Sequence, residues 1–254
     1  MNLENATAIV TGASTGIGRA IAKAIAAKGG RVGLVGRNLH GLEQTQAEIS
    51  ALGGESHIFV ADLQDEEAIT KLAAEVKQLW QRVDILANIA GVWHDEKRTY
   101  YGHPLEEISV AEIDETLDIN LRAPLLLARL FLPEMKQQKR GKILNVSADM
   151  RGHASDATGW VHQHVAKLAV EMFTTCLADE VRNHQIQVNC LAPHFVASEA
   201  VQKFFPEFVE TAIPTDVVAQ AAMFLLANEA ADNITGQILY LRSKDNLKAE
   251  LAGS

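Results

Sequence analysis

The chain has little cysteine and no apolar run long enough to cross a membrane. Its two cysteines, Cys176 and Cys190, match no zinc-binding spacing and cannot make a disulfide framework. No stretch approaches the roughly 20 apolar residues that span a bilayer. The first residues also lack the basic segment and apolar run of a signal peptide. These absences predict a cytoplasmic protein with reduced thiols and no membrane partner.

Clustered positive charge is missing as well. The chain has 23 Lys and Arg residues against 32 Asp and Glu residues, a formal net charge of −9. Nucleic acid is a poor candidate partner, because binding its phosphates needs clustered positive charge. No His, Cys or acidic spacing predicts a metal site. With 254 residues, 48% of them hydrophobic, the chain has the size and composition of a single folded domain, 1–254.

Short apolar runs alternate with amphipathic helical patterns along the whole chain. Residues 16–28 form one such pattern, which ends at Gly29 and Gly30. Residues 65–80 form another with an acidic first turn, and a capping box from Ser109 to Glu112 opens a third. This alternation predicts an α/β fold with a doubly wound parallel sheet. The predicted strands are 6–11, 31–35, 56–61, 85–89, 142–147, 187–191 and 237–241.

Two stretches, 92–110 and 194–213, are too long for simple turns. Both follow predicted strand ends, on the side where open α/β sheets bind ligands. Long segments there are more often functional than neutral, so we expect substrate loops. Their aromatic residues suggest an aromatic wall, although simple packing is the alternative. These residues are Trp93, Tyr100, Tyr101, Phe195, Phe204, Phe205 and Phe208.

A glycine-rich turn joins the first predicted strand to the first predicted helix. Its sequence, TGASTGIG at residues 11–18, has small residues that let the backbone approach a pyrophosphate closely. The following helix offers free N–H groups and the positive end of its dipole. A glycine turn used only for packing is the alternative, but the strand–turn–helix context favours a dinucleotide site.

A cation follows the second predicted strand, where NAD-binding sites have an acid. That acid binds the ribose hydroxyls of NAD and repels a 2′-phosphate. Here the sequence is Gly36-Arg37-Asn38, and an arginine can bind a phosphate with two parallel hydrogen bonds. The pattern predicts NADP, with NAD as the second choice. The alternative is that Arg37 is a solvated charge or stacks on adenine.

These features resemble the short-chain dehydrogenase/reductase (SDR) family, whose glycine motif is TGxxxGxG. NIAG at residues 88–91 resembles the family's NNAG motif, and Pro193 starts the loop that the family usually writes Pro-Gly. The resemblance covers nearly the whole chain. It implies a Rossmann-type sheet of seven parallel strands in the order 3-2-1-4-5-6-7. It also implies these cofactor-binding residues: Gly12, Ser14, Thr15, Gly16, Ile17, Gly18, Arg37, Asp62, Leu63, Asn88, Ala90, Gly91, Lys167, Pro193 and Val196.

The resemblance also implies a catalytic site, and two of its groups differ here. The family uses Ser, Tyr, Lys and a helix Asn to move a proton while hydride passes between nicotinamide and a carbonyl carbon. Asn120 and Lys167 match the Asn and the Lys. Gln163 stands at the Tyr position, one helical turn before Lys167. An amide forms hydrogen bonds but cannot donate and accept a proton during turnover. Ala148 stands at the Ser position, with Ser147 as a substitute that faces the other way along a strand.

Pro124 bears on the helix Asn. Because proline has no N–H, the carbonyl of Asn120 loses its helical partner and we expect a kink. The freed carbonyl could hold a relay water near Lys167, as the resemblance implies. A kink that merely fits the helix to the sheet is the alternative.

Histidines near the predicted strand ends are candidate acids or bases, since histidine titrates near neutral pH. They are His94, His153, His162, His164 and His194, with Asp149, Tyr100 and Tyr101 as weaker candidates. A surface or pocket-lining role is the alternative for each histidine.

Three functions remain open from the sequence. The first is an atypical NADP-dependent oxidoreductase acting on a small or cyclic carbonyl or alcohol substrate. The second is a cofactor-binding protein without ordinary redox turnover, and the third is a non-redox proton-transfer enzyme that uses pocket histidines. SDR proteins are usually dimers or tetramers, and the apolar runs in 117–135 and 165–177 are compatible with a homodimer or homotetramer.

Overall fold

The computed structural model describes residues 1–149 and 159–242. Its seven strands form one parallel sheet in the order β3-β2-β1-β4-β5-β6-β7, which confirms the predicted fold class and strand order. Each predicted strand lies within two residues of an observed one. The strands are β1 (Thr7–Thr11), β2 (Arg31–Gly36), β3 (Glu55–Val60), β4 (Ile85–Asn88), β5 (Gly141–Val146), β6 (Ile186–Pro193) and β7 (Ile238–Leu241).

Eight α-helices lie among the described residues. Asp65 caps one of them by accepting the Glu67 N–H, and the predicted capping box of Ser109 and Glu112 is present at another. Gly29 has φ +79°, a left-handed conformation that follows the end of the first helix. The helices are α1 (Gly16–Ala26), α2 (Leu39–Ala51), α3 (Glu66–Trp80), α4 (Val110–Leu117), α5 (Ala123–Gln138), α6 (Val161–Val181), α7 (Glu199–Phe204) and α8 (Thr215–Ala227).

The core lies on both faces of the sheet. All residues of β1, β4 and β5 are buried, as expected for central strands covered by helices on both sides. One apolar layer packs α1, α2 and α8 against the sheet, and the other packs α3, α5 and α6. Each fully buried large apolar side chain contributes about 1.5–3 kcal/mol of transfer free energy. Two apolar layers of this kind hold the strand ends in place.

The helical segment before Pro124 contains a π-turn. Residues Asp118–Arg122 adopt it between α4 and α5, and the Ala123 N–H donates to the Asp118 carbonyl. The sequence predicts an interruption here, and the structure gives it the form of a widened turn. Asn120 lies in the middle of this turn. Single π-turns inside helices are frequent at functional sites.

The carboxyl ends of β1, β4, β5 and β6 meet at one edge of the sheet, where the two long segments also lie. Segment 92–110 contains the 3₁₀ turn Leu105–Glu107 and reaches the start of α4, and segment 194–213 contains α7 and the 3₁₀ turn Pro206–Phe208. A single bridge pairs Val196 with Ile213. The two segments are therefore locally structured, and both stand over the edge where parallel sheets bind ligands.

Candidate functional site

The glycine-rich turn between β1 and α1 needs its glycines. Gly12 has φ +66°, and a Cβ atom there would lie 2.9 Å from the Ala90 Cα. A Cβ on Gly18 would lie 2.1 Å from the Gly12 carbonyl oxygen. Thr11 ties the turn to the end of β4, because its Oγ1 accepts the N–H groups of Ile89 and Ala90, each at 3.0 Å. The turn thus presents backbone rather than side chain to the site.

The N-terminus of α1 already holds a carboxylate. Glu199 Oε2 accepts the Gly16 N–H at 2.9 Å, and Glu199 Oε1 lies 3.4 Å from Arg19 Nη1. Glu199 opens α7, whose first turn is capped by Ser198 through the Val201 N–H. Free N–H groups at a helix N-terminus attract anions. Sequence reasoning missed Ser198 and Glu199, which lie against Gly16 only because segment 194–213 folds back over the glycine turn.

Arg37 is flanked by two carboxylates. Its Nη1 lies 3.7 Å from Asp62 Oδ2, at the end of β3, and 3.7 Å from Glu115 Oε1, on α4. The guanidinium is about half exposed and lines the same cavity as Gly36 and Asn38. These ion pairs hold the guanidinium beside the end of β2, although half-exposed pairs of this length stabilise the fold little.

A cavity of about 830 Å³ runs along the carboxyl edge of the sheet, from Arg37 at one end to segment 194–213 at the other. It brings together most of the residues that the sequence predicts to bind the cofactor or to form the catalytic site. Those that line it are Gly12, Ser14, Thr15, Gly16, Ile17, Gly18, Arg37, Asp62, Leu63, Ala90, Gly91, Ser147, Ala148, Gln163, Lys167, Pro193 and Val196.

Two nominated residues, Asn88 and Asn120, lie behind the cavity wall. Both are buried. Asn88 Nδ2 donates to Asn145 Oδ1 at 2.9 Å. The Asn120 amide pairs with the backbone of Val92, accepting its N–H at 3.3 Å and donating to its carbonyl at 2.9 Å. These two side chains therefore support the wall of the cavity from behind and are not part of its lining.

Lys167 and Gln163 lie one turn apart on α6. Lys167 Nζ donates to the Val146 carbonyl at 3.1 Å and lies 3.3 Å from where a Gly91 Cβ would be. Burial lowers the pKa of Lys167 to about 8. Gln163 is buried, and its Nε2 donates to the Val92 carbonyl at 2.5 Å. The Gln163 and Asn120 amides therefore converge on one carbonyl oxygen, which orders the start of segment 92–110.

Ser147 turns its hydroxyl towards α6. The Oγ lies 3.1 Å from the Lys167 carbonyl and 2.9 Å from Glu171 Oε1. Tyr240 donates to the other oxygen of Glu171 at 2.7 Å. At the next position the methyl group of Ala148 lines the cavity.

The histidines separate into two groups. His94, His164 and His194 line the cavity, and His164 Nδ1 lies 2.9 Å from the Trp160 carbonyl. His162 is buried outside the cavity lining, where burial lowers its pKa, and neither of its ring nitrogens has a hydrogen-bond partner among the described residues. His153 lies outside the described residues.

Of the two adjacent tyrosines only Tyr101 lines the cavity. The expectation that Tyr100 contributes to an aromatic wall is wrong. Tyr100 is 3% exposed and donates its hydroxyl to Glu115 Oε2 at 2.6 Å, and burial raises its pKa. Tyr101 is 39% exposed. Adjacent residues in this extended stretch project in different directions, so only one of them reaches the cavity.

The outer part of the cavity is lined by six aromatic rings, which we call the aromatic mouth. Phe204, which the sequence also predicted for the wall, does not line the cavity, whereas Trp160, which directly precedes α6, lines it and was missed by sequence reasoning. Its position three residues before Gln163 could have indicated it, because residues three apart on a helix lie on the same side. The six are Trp93, Tyr101, Trp160, Phe195, Phe205 and Phe208.

Residues 1–149 and 159–242 contain neither a metal site nor a membrane-spanning helix. No group of three or more His, Cys, Asp or Glu side chains there could hold a metal ion. No helix in those ranges is long and apolar enough to cross a membrane.

Comparison with known proteins establishes the family. The family described as short chain dehydrogenase matches residues 6–208. The chain belongs to the short-chain dehydrogenase/reductase family. Among its SDR relatives, nodulation protein G of Rhizobium sp. is 33% identical over 243 residues, covering 92% of this chain and 94% of that protein. D-threitol dehydrogenase of Mycolicibacterium smegmatis is 33% identical over 253 residues, covering 94% and 92%.

A solved SDR structure shares the whole fold. It is a metagenomic short-chain oxidoreductase in complex with NADP, with a TM-score of 0.79 and 34% identity. The match covers 96% of this chain and 99% of that one. The seven-stranded parallel sheet and the single Rossmann-like domain are therefore those of the SDR fold.

Proposed function

We propose that this SDR protein is an NADP-dependent oxidoreductase acting on a small or cyclic carbonyl or alcohol. One observation carries the proposal: a single cavity joins Arg37, the glycine turn and Lys167. Arg37 provides a cation for a 2′-phosphate where an acid would repel it. The NADP bound by the metagenomic relative supports the choice of cofactor.

The residues present fit the dinucleotide. Gly12, Gly16 and Gly18 line the cavity without side chains, and the N–H groups at the start of α1, one of which pairs here with Glu199, suit a pyrophosphate. Ser14, Thr15, Ile17 and Asp62 line the same half of the cavity. We assign Gly91, Lys167, Pro193 and Val196 to the nicotinamide half. When bound, the cofactor supplies the hydride donor or acceptor.

Because Gln163 stands where the family has its tyrosine, the proton must come from another group. The Gln163 amide is engaged with the Val92 carbonyl and cannot titrate. His164 lies next to it and lines the cavity. Because a carbonyl only accepts, the contact to Trp160 places a hydrogen on Nδ1 of His164. Nε2 is then the nitrogen that carries the transferred proton, which it gives to the carbonyl oxygen in reduction and takes from the hydroxyl in oxidation. We assign His164, or a water held near Lys167, to the proton transfer.

The test is NADPH oxidation against a panel of ketones, followed at 340 nm. We expect turnover that falls at least about tenfold in His164→Asn, within the range of general acid–base catalysis. His57→Asn is a matched control, because His57 lies on β3 beside Phe59 and Trp80, outside the cavity lining. Turnover that does not depend on His164 contradicts the assignment of the proton transfer to His164. If neither NADP nor NAD raises the melting temperature, the cofactor proposal is contradicted.

A second function is favoured by the position of Gln163. Its amide donates to the backbone of segment 92–110, and a residue kept for that contact serves structure rather than proton transfer. The protein would then bind NADP without ordinary redox turnover. In that case NADP raises the melting temperature, no ketone is reduced, and Gln163→Tyr restores carbonyl reduction. Loss of an existing activity in Gln163→Tyr argues for a specialised chemistry instead.

We also propose that the chain forms a homodimer or homotetramer through α6. Val161, Val165, Leu168 and Met172 form an exposed apolar stripe at helical spacing, with exposures of 43–63%. Leu125 on α5 is exposed as well. An apolar stripe of this kind fits a second copy of the same surface. Light scattering should show an oligomer for the wild type and a smaller species for Met172→Glu, and a monomeric wild type contradicts the proposal.

A further inference from the structure

We propose that the aromatic mouth binds a planar aryl or fused-ring group, so that the substrate is an apolar ring compound with one carbonyl or hydroxyl. This inference rests on the proposed oxidoreductase function and deepens it. The chain has only 3 Trp, 3 Tyr and 8 Phe residues. Two of the three tryptophans and three of the eight phenylalanines line this one cavity.

The rings of the mouth come from three separate parts of the chain and form one continuous surface. Phe205 is at the centre, with its ring centroid 5.8 Å from Trp93, 6.2 Å from Tyr101 and 5.9 Å from Phe195. Trp160 extends the surface, 5.0 Å from Tyr101 and 6.4 Å from Trp93. These separations lie within the range at which aromatic rings attract one another, so a further ring can join the same cluster.

The exposure of these rings argues against a packing role alone. None of the six is buried, and Tyr101 and Phe208 are 39% and 40% exposed. Tyr100 shows what a packing ring in the same segment looks like, since it is buried and its hydroxyl is bonded to Glu115. Leaving apolar surface in water costs about 25 cal/mol for each Å². An aromatic ligand would cover the surface that the six rings leave open.

The charges around the cavity agree with an uncharged ring. Arg37 and Lys167 are the only Lys or Arg among the described residues that line it, and both belong to the part assigned to the cofactor. Of the two described carboxylates in the lining, Asp62 belongs to that part as well, and Asp149 is paired with Arg242 at 2.9 Å. Lys203, beside the mouth, donates to the Glu96 carbonyl at 2.7 Å and lies 4.9 Å from the Phe204 ring centroid. Gln163, His164 and His194 are among the polar side chains that line the same cavity. This arrangement suits one carbonyl or hydroxyl pointing inward and a ring held outside.

The mouth itself is a poor match for a polyol or a sugar acid, because its six rings offer only the Tyr101 hydroxyl and two indole N–H groups. Such a substrate needs several polar side chains to pair with its hydroxyl groups, because an unpaired buried hydroxyl costs free energy. The D-threitol dehydrogenase relative acts, by its name, on a polyol. We infer that this chain shares its fold and differs in substrate class.

The test compares three ketones on the NADP-loaded protein by calorimetry: 1-tetralone with an aryl ring, 1-decalone with the same skeleton but no aryl ring, and 5-ketogluconate. We expect 1-tetralone to bind roughly 3- to 10-fold more tightly than 1-decalone, the increment of one aromatic contact. We expect no binding of 5-ketogluconate. Tryptophan emission should change with 1-tetralone, because Trp93 and Trp160 lie in the mouth.

Two neighbouring variants locate the binding. Tyr101→Leu removes an exposed ring and should weaken the binding of 1-tetralone by roughly 3- to 10-fold. Tyr100→Phe, the matched control, keeps a buried ring and should leave its affinity within about twofold. Equal effects of the two variants, equal binding of 1-tetralone and 1-decalone, or tighter binding of 5-ketogluconate overturns the inference. None of these readouts requires turnover, and the melting-temperature shift with NADP tests the cofactor proposal separately.

Discussion

Replacing Arg37 by Ala tests the choice between NADP and NAD. The guanidinium lies 3.7 Å from the carboxylates of both Asp62 and Glu115. Its removal takes away a charge-assisted hydrogen bond to the 2′-phosphate and leaves two negative charges beside that phosphate. A hydrogen bond to a charged group contributes about 1.5–3 kcal/mol. Because the side chain is half exposed, we take the lower part of that range, about 1.5–2.5 kcal/mol.

This free energy predicts that the Kd for NADPH rises roughly 10- to 70-fold in Arg37→Ala. The Kd for NADH, which has no 2′-phosphate, should change by less than about threefold. Calorimetric titration of both cofactors measures the difference, and the fragments 2′,5′-ADP and 5′-AMP should repeat it. Arg182→Ala is a matched control, because Arg182 is an exposed arginine at the opposite, amino-terminal edge of the sheet, paired with Asp179. Equal weakening of NADPH and NADH, or no weakening of NADPH, refutes the assignment.

Three further predictions concern the wall and floor of the site. Glu199→Gln should tighten the binding of NADPH roughly fivefold, since a carboxylate near the pyrophosphate costs about 1 kcal/mol. Glu207→Gln in the same segment is the control. An unchanged affinity of Glu199→Gln for NADPH argues against a carboxylate beside the pyrophosphate. Asn120→Ala should lower the free energy of unfolding by about 2 kcal/mol, because it leaves the buried Val92 N–H without its acceptor, and urea denaturation that shows a loss below about 0.5 kcal/mol contradicts this role. The pKa of Lys167 is about 8 in the folded protein, below its ordinary value of 10.5. Between these two values the unfolded chain binds more protons than the folded one, so the free energy of unfolding rises with pH. The destabilisation by Lys167 is complete below pH 8 and is relieved as the pH rises above it. The wild type should therefore gain about 1 kcal/mol relative to Lys167→Met between pH 7 and pH 9, and parallel stability curves for the two proteins argue against a buried titrating amine.

The sequence predicted the sheet almost completely. Apolar runs of five or six residues, separated by helical periodicity, determine which segments are strands, and their lengths leave little freedom in the boundaries. The glycine turn could be placed for the same reason, because its residues follow one another in the chain. Gln163 and Lys167 could be paired because one helical turn separates them. Cytoplasmic location stays a prediction.

The tertiary structure decided which candidates reach the cavity. Asn88 and Asn120 match motif positions, yet neither lines the cavity, and both are bonded to groups behind its wall. Tyr100 and Tyr101 are adjacent and chemically alike, and only the packing of α4 beneath them buries one and exposes the other. A local pattern does not contain this information, since the direction of a side chain depends on which helix packs against its segment.

The carboxylate at the start of α1 shows the same limit at long range. Gly16 and Glu199 are separated by 183 residues, and no spacing rule joins them. The glycine turn by itself determines that an anion can bind there, because the first N–H groups of a helix have no partner within it. Only the folding of segment 194–213 across the edge of the sheet decides that the chain supplies such an anion itself. Local chemistry is thus contained in the sequence, whereas the meeting of distant residues is set by how the helices and loops pack on the sheet.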